Sequence, residues 1–284
     1  MARLSILDIQ KMKAQSEKIV VLTAYDATSA RVAEAADVPI ILVGDTLGMV
    51  VQGHTSTIPV TLDHMVYHCS IVSRVTSKPL IVGDMPFMST NISLEDALRN
   101  TARLMQEGGV TAIKLEGGES AAPVIRRLTE AGIPVMAHIG LTPQSVNQFG
   151  GFKVQGRQLD GARQLIRDAD AVQAAGAFSV VLELVPRKLS GLISRRLKIP
   201  TIGIGAGMEC DGQVQVFHDI LGMFDQFLPK HARRYAELGE TMRAAVAQYK
   251  QDVQAGTFPN DEHAFSMNEE VYQTLIQEVG DASA

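Results

Sequence analysis

Seven ionisable residues of this chain share one local setting: each closes, or nearly closes, a short apolar run. Asp26 ends IVVLTAYD, Asp45 ends IILVGD and Asp84 stands in PLIVGDMP. Lys114 and Glu116 lie in TAIKLEGG, His138 in IPVMAHIGL and Glu183 in FSVVLELVP. The phrase V-G-D occurs at both Asp45 and Asp84. A carboxylate at the end of an apolar strand is held rigidly and partly dried. Several on one rim repel one another, and like charges at close range push a pKa up unless a cation neutralises them. Asp45, Asp84 and Glu116 therefore read as an oxygen-rich site for a hard divalent ion. Mg²⁺ fits best, because it takes few carboxylates and keeps positions for water or substrate. Zinc is not indicated at these strand ends: the one His pair at i, i+4, His64 and His68, lies outside the apolar runs, and there is no cysteine cluster.

Each residue also has a purely structural role open to it. Asp45 or Asp84 alone could cap a helix. Lys114 and Glu116, two apart on one strand, face the same side and could form a salt bridge in a barrel mouth. His138 could be a hydrogen-bonded core histidine, and Glu183 could pair with Arg187. As a functional group, the apolar-flanked Glu183 suits a general base.

Something must bring these residues to one place. Eight β-branched apolar runs recur: 19–26, 40–45, 79–86, 111–118, 133–141, 178–186, 199–207 and 213–221. They are nearly continuous rather than alternating, as expected of strands covered on both faces of a parallel sheet. Helical patterns lie between them, at 93–108, 119–132 and 160–176, each ending on a glycine that accepts the left-handed conformation. The first opens on Ser93 with Asp96 three residues on, close to a capping box. Eight strand–helix repeats predict an α/β fold, a (β/α)8 TIM barrel, whose chemistry sits at the C-terminal ends of the strands. An open doubly wound sheet is the alternative, but no dinucleotide-binding turn follows the first strand. The glycine-rich IGIGAG at 202–207 reads as close backbone approach rather than a nucleotide fingerprint. Two long loops, 46–61 and 145–157, are expected to act as lids.

After the last strand, 231–256 reads as a long helix with an apolar stripe, 256–265 as a linker and 266–280 as a short helix. The expected organisation is one barrel domain over 1–265 with a C-terminal helical extension, followed by a tail, 266–284. The stripe favours packing against the barrel or a neighbouring subunit.

Composition narrows the function. The chain has 284 residues, 46% apolar and 20% charged, with a net charge of −5. That balance suits a globular domain and lacks the basic footprint of a nucleic-acid binder. No apolar stretch is long enough for a membrane span, and the N-terminus lacks the apolar core and cleavage site of a signal peptide. Two distant cysteines, Cys69 and Cys210, suit a reducing cytoplasm.

The ordered set TAYDATSARVAEAADVPIILVGDTLGMVVQGHTSTIPVTLDHM, VGDMPFMS, IKLEGG, HIGLTPQSVNQFGGFKVQGR, LELVP and IGIGAG resembles the ketopantoate hydroxymethyltransferase family over about residues 3–265. The resemblance implies a (β/α)8 barrel and a cytoplasmic homodecamer of two pentameric rings. It implies Mg²⁺, with 5,10-methylenetetrahydrofolate as co-substrate and 3-methyl-2-oxobutanoate as the small keto-acid substrate. Nucleic acid and membrane have no part in that activity. By resemblance, Asp45 and Asp84 hold the metal and Glu116 completes its surroundings. Residue 46, Asp84 and Lys114 contact the keto acid, together with Asp45 through the metal site, His138 lies in the substrate pocket, and Glu183 is the proton acceptor. One departure is Thr46, where the family most often has Ser. Two other readings stand beside it: a Mg-dependent lyase of the phosphoenolpyruvate/pyruvate superfamily, and a non-catalytic barrel serving in binding or assembly. The lyases carry a cysteine in a basic loop, whereas Cys210 sits in GMECDGQ and Cys69 in a helical pattern.

Overall fold

In the computed structural model, which describes residues 3–223 and 228–280, eight parallel strands close into a barrel. They are β1 (Ile19–Thr23), β2 (Ile40–Val43), β3 (Leu80–Asp84), β4 (Ala112–Glu116), β5 (Val135–Gly140), β6 (Ser179–Glu183), β7 (Thr201–Ile204) and β8 (Gly212–Gln215). Each pairs with its successor, and β8 returns to β1 with Ile19 opposite Gly212. The predicted (β/α)8 barrel is the observed fold.

Burial explains the continuous apolar runs. One set of side chains, including Ile41, Val43, Ile81, Ile113 and Leu182, packs outward against the helices. The alternate set, including Ile40, Leu42, Leu80, Val82, Ala112, Met136 and Val181, fills the barrel interior. Because successive side chains on a strand point to opposite faces, the inward set continues to Asp84, Lys114, Glu116, His138 and Glu183. The same alternation that builds the core therefore aims these groups into the barrel at its C-terminal end. The N-terminal helix Ile6–Ala14 closes the opposite end. Its Ile9 is fully buried among the interior side chains, with Leu4, Ile6 and Met12 packed against them.

The predicted helices appear as Leu94–Gln106, Ala122–Glu130 and Leu159–Ala174. Ser93 caps the first through a hydrogen bond accepted from the Asp96 N–H. Both long loops carry short helices, Leu47–Val50 in one and Val146–Phe149 in the other. The expected run 213–221 divides. The Phe217 N–H donates to the Thr23 hydroxyl instead of continuing the ladder, so β8 stops at Gln215 and Phe217–Ile220 forms a helical turn.

The chain forms two compact units, 1–236 and 237–284. The second holds the helices Leu238–Ala255 and Glu269–Val279. The predicted helix 231–256 thus begins seven residues later than expected. Within this unit the Phe258 ring packs edge-on against Tyr249 and His263, and Asn268 caps the final helix. Among the described residues no helix is long and apolar enough to cross a membrane.

Candidate active site

Asp45, Thr46, Asp84, Lys114, Glu116, His138 and Glu183 line one narrow cavity at the C-terminal mouth of the barrel. Asp26 does not join them. Its carboxylate accepts the Ser29 N–H and caps the helix Ala27–Ala35, which is the structural role open to any Asp at a strand–helix junction.

The cavity is built around a buried ion pair. Lys114 Nζ lies 2.6 Å from Asp84 Oδ1, with both side chains nearly inaccessible. The other Asp84 oxygen accepts the Asp45 N–H at 3.1 Å, which locks the two V-G-D turns together. Burial first, and the Asp84 charge second, push the Asp45 carboxyl up to about 7. Burial likewise raises Glu116 well above the usual carboxylate range, with Asp45 adding to it. Burial pulls the Lys114 ammonium down, but the charges of Asp84, Glu116 and Asp45 outweigh it and raise Lys114 overall.

His138 links this floor to Glu183. Its Nδ1 is 3.3 Å from Lys114 Nζ and its Nε2 is 3.2 Å from a Glu183 oxygen. Burial, then the Lys114 charge, lower its pKa, with Glu183 opposing. A neutral imidazole in this place accepts from Lys114 at Nδ1 and presents Nε2–H towards Glu183. His138 thus lies in the cavity between Lys114 and Glu183 rather than isolated in the core. Glu183 does not pair with Arg187, which binds Glu209 instead.

The donor set suits a hard cation. Two buried carboxylate oxygens here, Asp84 Oδ1 and Glu116 Oε1, have no well-directed hydrogen-bond partner. The carboxylates outnumber the single ammonium, and every candidate ligand is oxygen, as Mg²⁺ requires. Among the described residues, however, no three acids or histidines converge on a single point in ligand geometry. Lys114 stands against Asp84, and Gln144 spaces Asp45 from Glu116.

Gln144 is the residue the sequence reading missed. Its Nε2 donates to Asp45 Oδ2 and to Met85 O, each at 2.9 Å, and its backbone N–H donates to Glu116 Oε2 at 3.1 Å. It lies in the HIGLTPQSVNQF segment, but neutral amides carry no charge signal by which to find them. Thr46 begins the short helix Leu47–Val50 and its side chain makes no capping bond, so its hydroxyl is not committed there. Both cysteines are buried, and burial pushes both thiols up, which argues against a nucleophilic cysteine.

Backbone conformation fixes the last member. Gly140, at the end of β5, has φ +96°, and a Cβ there would come within 2.3 Å of the Glu183 carbonyl oxygen. Leu184, directly after Glu183, holds φ +46°, a conformation uncommon for residues other than glycine. Its carbonyl accepts the N–H of Gln155 from the second long loop at 2.9 Å. In the IGIGAG segment, added Cβ atoms at Gly203 and Gly207 would meet Cys210 and Arg187, so the close approach predicted there is to neighbouring side chains.

A closed parallel barrel with carboxylates, a buried lysine and a mostly buried glutamate at its C-terminal rim defines a (β/α)8 barrel with a cluster of acid–base side chains at its mouth. The comparisons with known proteins narrow that class. The family model for ketopantoate hydroxymethyltransferase matches residues 3–261, and the chain belongs to that family. Relatives named 3-methyl-2-oxobutanoate hydroxymethyltransferase include one from Chloroflexus aurantiacus, 55% identical over 94% of each chain. Another, from Heliobacterium modesticaldum, is 51% identical and covers 95% of this chain and 98% of the relative. Among solved structures, a phosphonopyruvate hydrolase aligns with a TM-score of 0.61 at 12% identity, covering 98% of this chain and 96% of the other. A 2,3-dimethylmalate lyase aligns at 0.59 and 17% identity, covering 97% and 99%. At such identities these structures share the fold.

Proposed function

We propose that the chain transfers a hydroxymethyl group from 5,10-methylenetetrahydrofolate to 3-methyl-2-oxobutanoate, giving 2-dehydropantoate on the route to pantothenate. The observation that carries the chemistry is that Glu183 lines the same narrow cavity as the Asp45–Asp84–Lys114 floor. A 2-oxo acid lying on that floor would present its carboxylate and keto oxygen to the cation-seeking end and its C3 to Glu183. Asp45 and Asp84 are the residues to hold Mg²⁺, with Glu116 in its surroundings. When bound, the ion supplies Lewis-acid charge to the keto oxygen, an effect worth several kcal/mol.

The chain's own groups do the rest. The Thr46 hydroxyl and the Lys114 ammonium orient the substrate's anionic end, and Lys114 compensates charge developing on the keto oxygen. Glu183 accepts the C3 proton, and His138 Nε2 steadies the carboxylate. A base so placed contributes ~10²–10⁴-fold. The enolate carbon then bonds to the donor's methylene carbon as one of that carbon's two C–N bonds breaks. Water hydrolyses the other and supplies the product's hydroxyl oxygen, and tetrahydrofolate leaves with both nitrogens protonated, one of them by the proton Glu183 took from C3. Loops 46–61 and 145–157 exclude bulk water during the step. The same reading takes the working enzyme as a homodecamer. Exposed Met242, Val246, Tyr249 and Val253, one stripe of the helix Leu238–Ala255, support an association role.

The test is at Glu183. Glu183→Gln should keep Mg²⁺-dependent keto-acid binding, measured by calorimetry, while deuterium exchange at C3, followed by proton NMR, falls at least ~10²-fold. Exchange at the wild-type rate would remove Glu183 as the base.

A further inference from the structure

Beside the narrow cavity lies a larger one of about 410 Å³. The two share Thr46, Pro143, Glu183 and Ile204. The narrow cavity is walled by interior strand residues such as Leu42, Val181 and Val214. The larger one is walled by loop residues beyond the strand ends, among them Met49, Val50, Phe152 and Val154. It is thus the outer chamber of the same mouth, with Glu183 at the boundary.

Its lining is mostly apolar, with one buried acid. Asp219, in the helical turn Phe217–Ile220 after β8, is only 7% exposed and faces this chamber. The proposed reaction uses one base, Glu183, so Asp219, in the lining of the same chamber, calls for another role. Resting on the function proposed above, we infer that the outer chamber takes the pterin ring of the one-carbon donor, with Asp219 accepting the two parallel N–H groups of its 2-amino-4-oxopyrimidine edge.

The chemistry of that ring matches the walls. Its flat faces suit Met49, Val50, Phe152 and Val154. Its donor edge carries adjacent N–H groups that meet a carboxylate as a guanidinium does, through two parallel bonds. Burial pushes the Asp219 carboxyl up to about 6, against the opposing charge of Arg234, so the group gains from donors that arrive with a ligand. At the rim, exposed Lys230 suits the carboxylates of the donor's glutamate tail. The reactive methylene, attached to the ring, is then held at the Glu183 boundary, where the keto acid's C3 loses its proton.

The experiment measures binding of two probes to the full-length enzyme by anaerobic equilibrium dialysis: tetrahydrofolate, and tailless 6-methyltetrahydropterin. Asp219→Asn should weaken both by about 10–100-fold, the scale of hydrogen bonds to a charged group, while the keto-acid dissociation constant moves less than twofold. Lys230→Ala should weaken tetrahydrofolate alone. Should Asp219→Asn fail to fold, Phe152→Ala, on a side chain 54% exposed, should weaken both probes at least fivefold. Both probes binding the foldable variants within twofold of wild type would overturn the subsite but leave the proposed reaction standing. A wild-type enzyme that exchanges C3 yet binds neither probe would overturn the donor assignment, and the subsite with it.

Discussion

One ammonium faces three carboxylates at the barrel mouth, and the excess negative charge has a measurable consequence. Asp45 is raised to about 7 by burial and by Asp84, from an ordinary value near 3.9 in the unfolded chain. Between those values the folded protein binds more protons at this site than the unfolded chain does. Stability therefore falls as pH rises from about 4 to 7. Raised Glu116 adds a contribution of the same sign. Thermal unfolding across that range should show this downward slope without Mg²⁺ and a flatter one with millimolar Mg²⁺. Equal slopes would count against Asp45 as a ligand. The Lys114–Asp84 pair fits a functional reading for a related reason: a buried ion pair is weak evidence of stability, since its desolvation cost rivals its attraction. These charged groups were legible because each ends an apolar run. Gln144 was not, because an uncharged side chain on a connecting segment acquires its role only when the fold brings it between Asp45 and Glu116.

Strand ends and their junctions set the precision of the site. Gly140 carries the sharpest constraint, since an added methyl would collide with the Glu183 backbone. Gly140→Ala should destabilise the protein by at least about 1 kcal/mol and lower kcat by on the order of 10², the effect of misplacing a catalytic group by about 1 Å. KM for the keto acid should change far less. Urea denaturation with steady-state kinetics checks this; wild-type kcat would show that Glu183 is not held through β5. Seven of the eight expected strands were readable to within a few residues, because burial on both faces leaves an uninterrupted apolar run. The eighth was read too long. Phe217 continues the apolar pattern, and only the Thr23 hydroxyl on β1, distant in sequence, shows where the ladder stops. Asp26 was misread for the opposite reason: its partner Ser29 is local, and a short-range cap satisfies it before the barrel can use it.

At the scale of the whole molecule, a closed sheet leaves no exposed strand edge and puts every strand's C-terminal end on one rim. This is why a one-dimensional list of run endings could be read as a ring. What that list did not foretell is the far end, where Ile9 and its helix stop the barrel like a cork. A barrel corked below, with its cavities at the upper mouth among the described residues, imposes a queue. On the proposed reaction the keto acid, seated lower, enters before the donor, and spent donor departs before the product beneath it. Product-inhibition kinetics should then show 2-dehydropantoate competing with 3-methyl-2-oxobutanoate and tetrahydrofolate not doing so; the reverse pattern would mean that the lower seat has another way out.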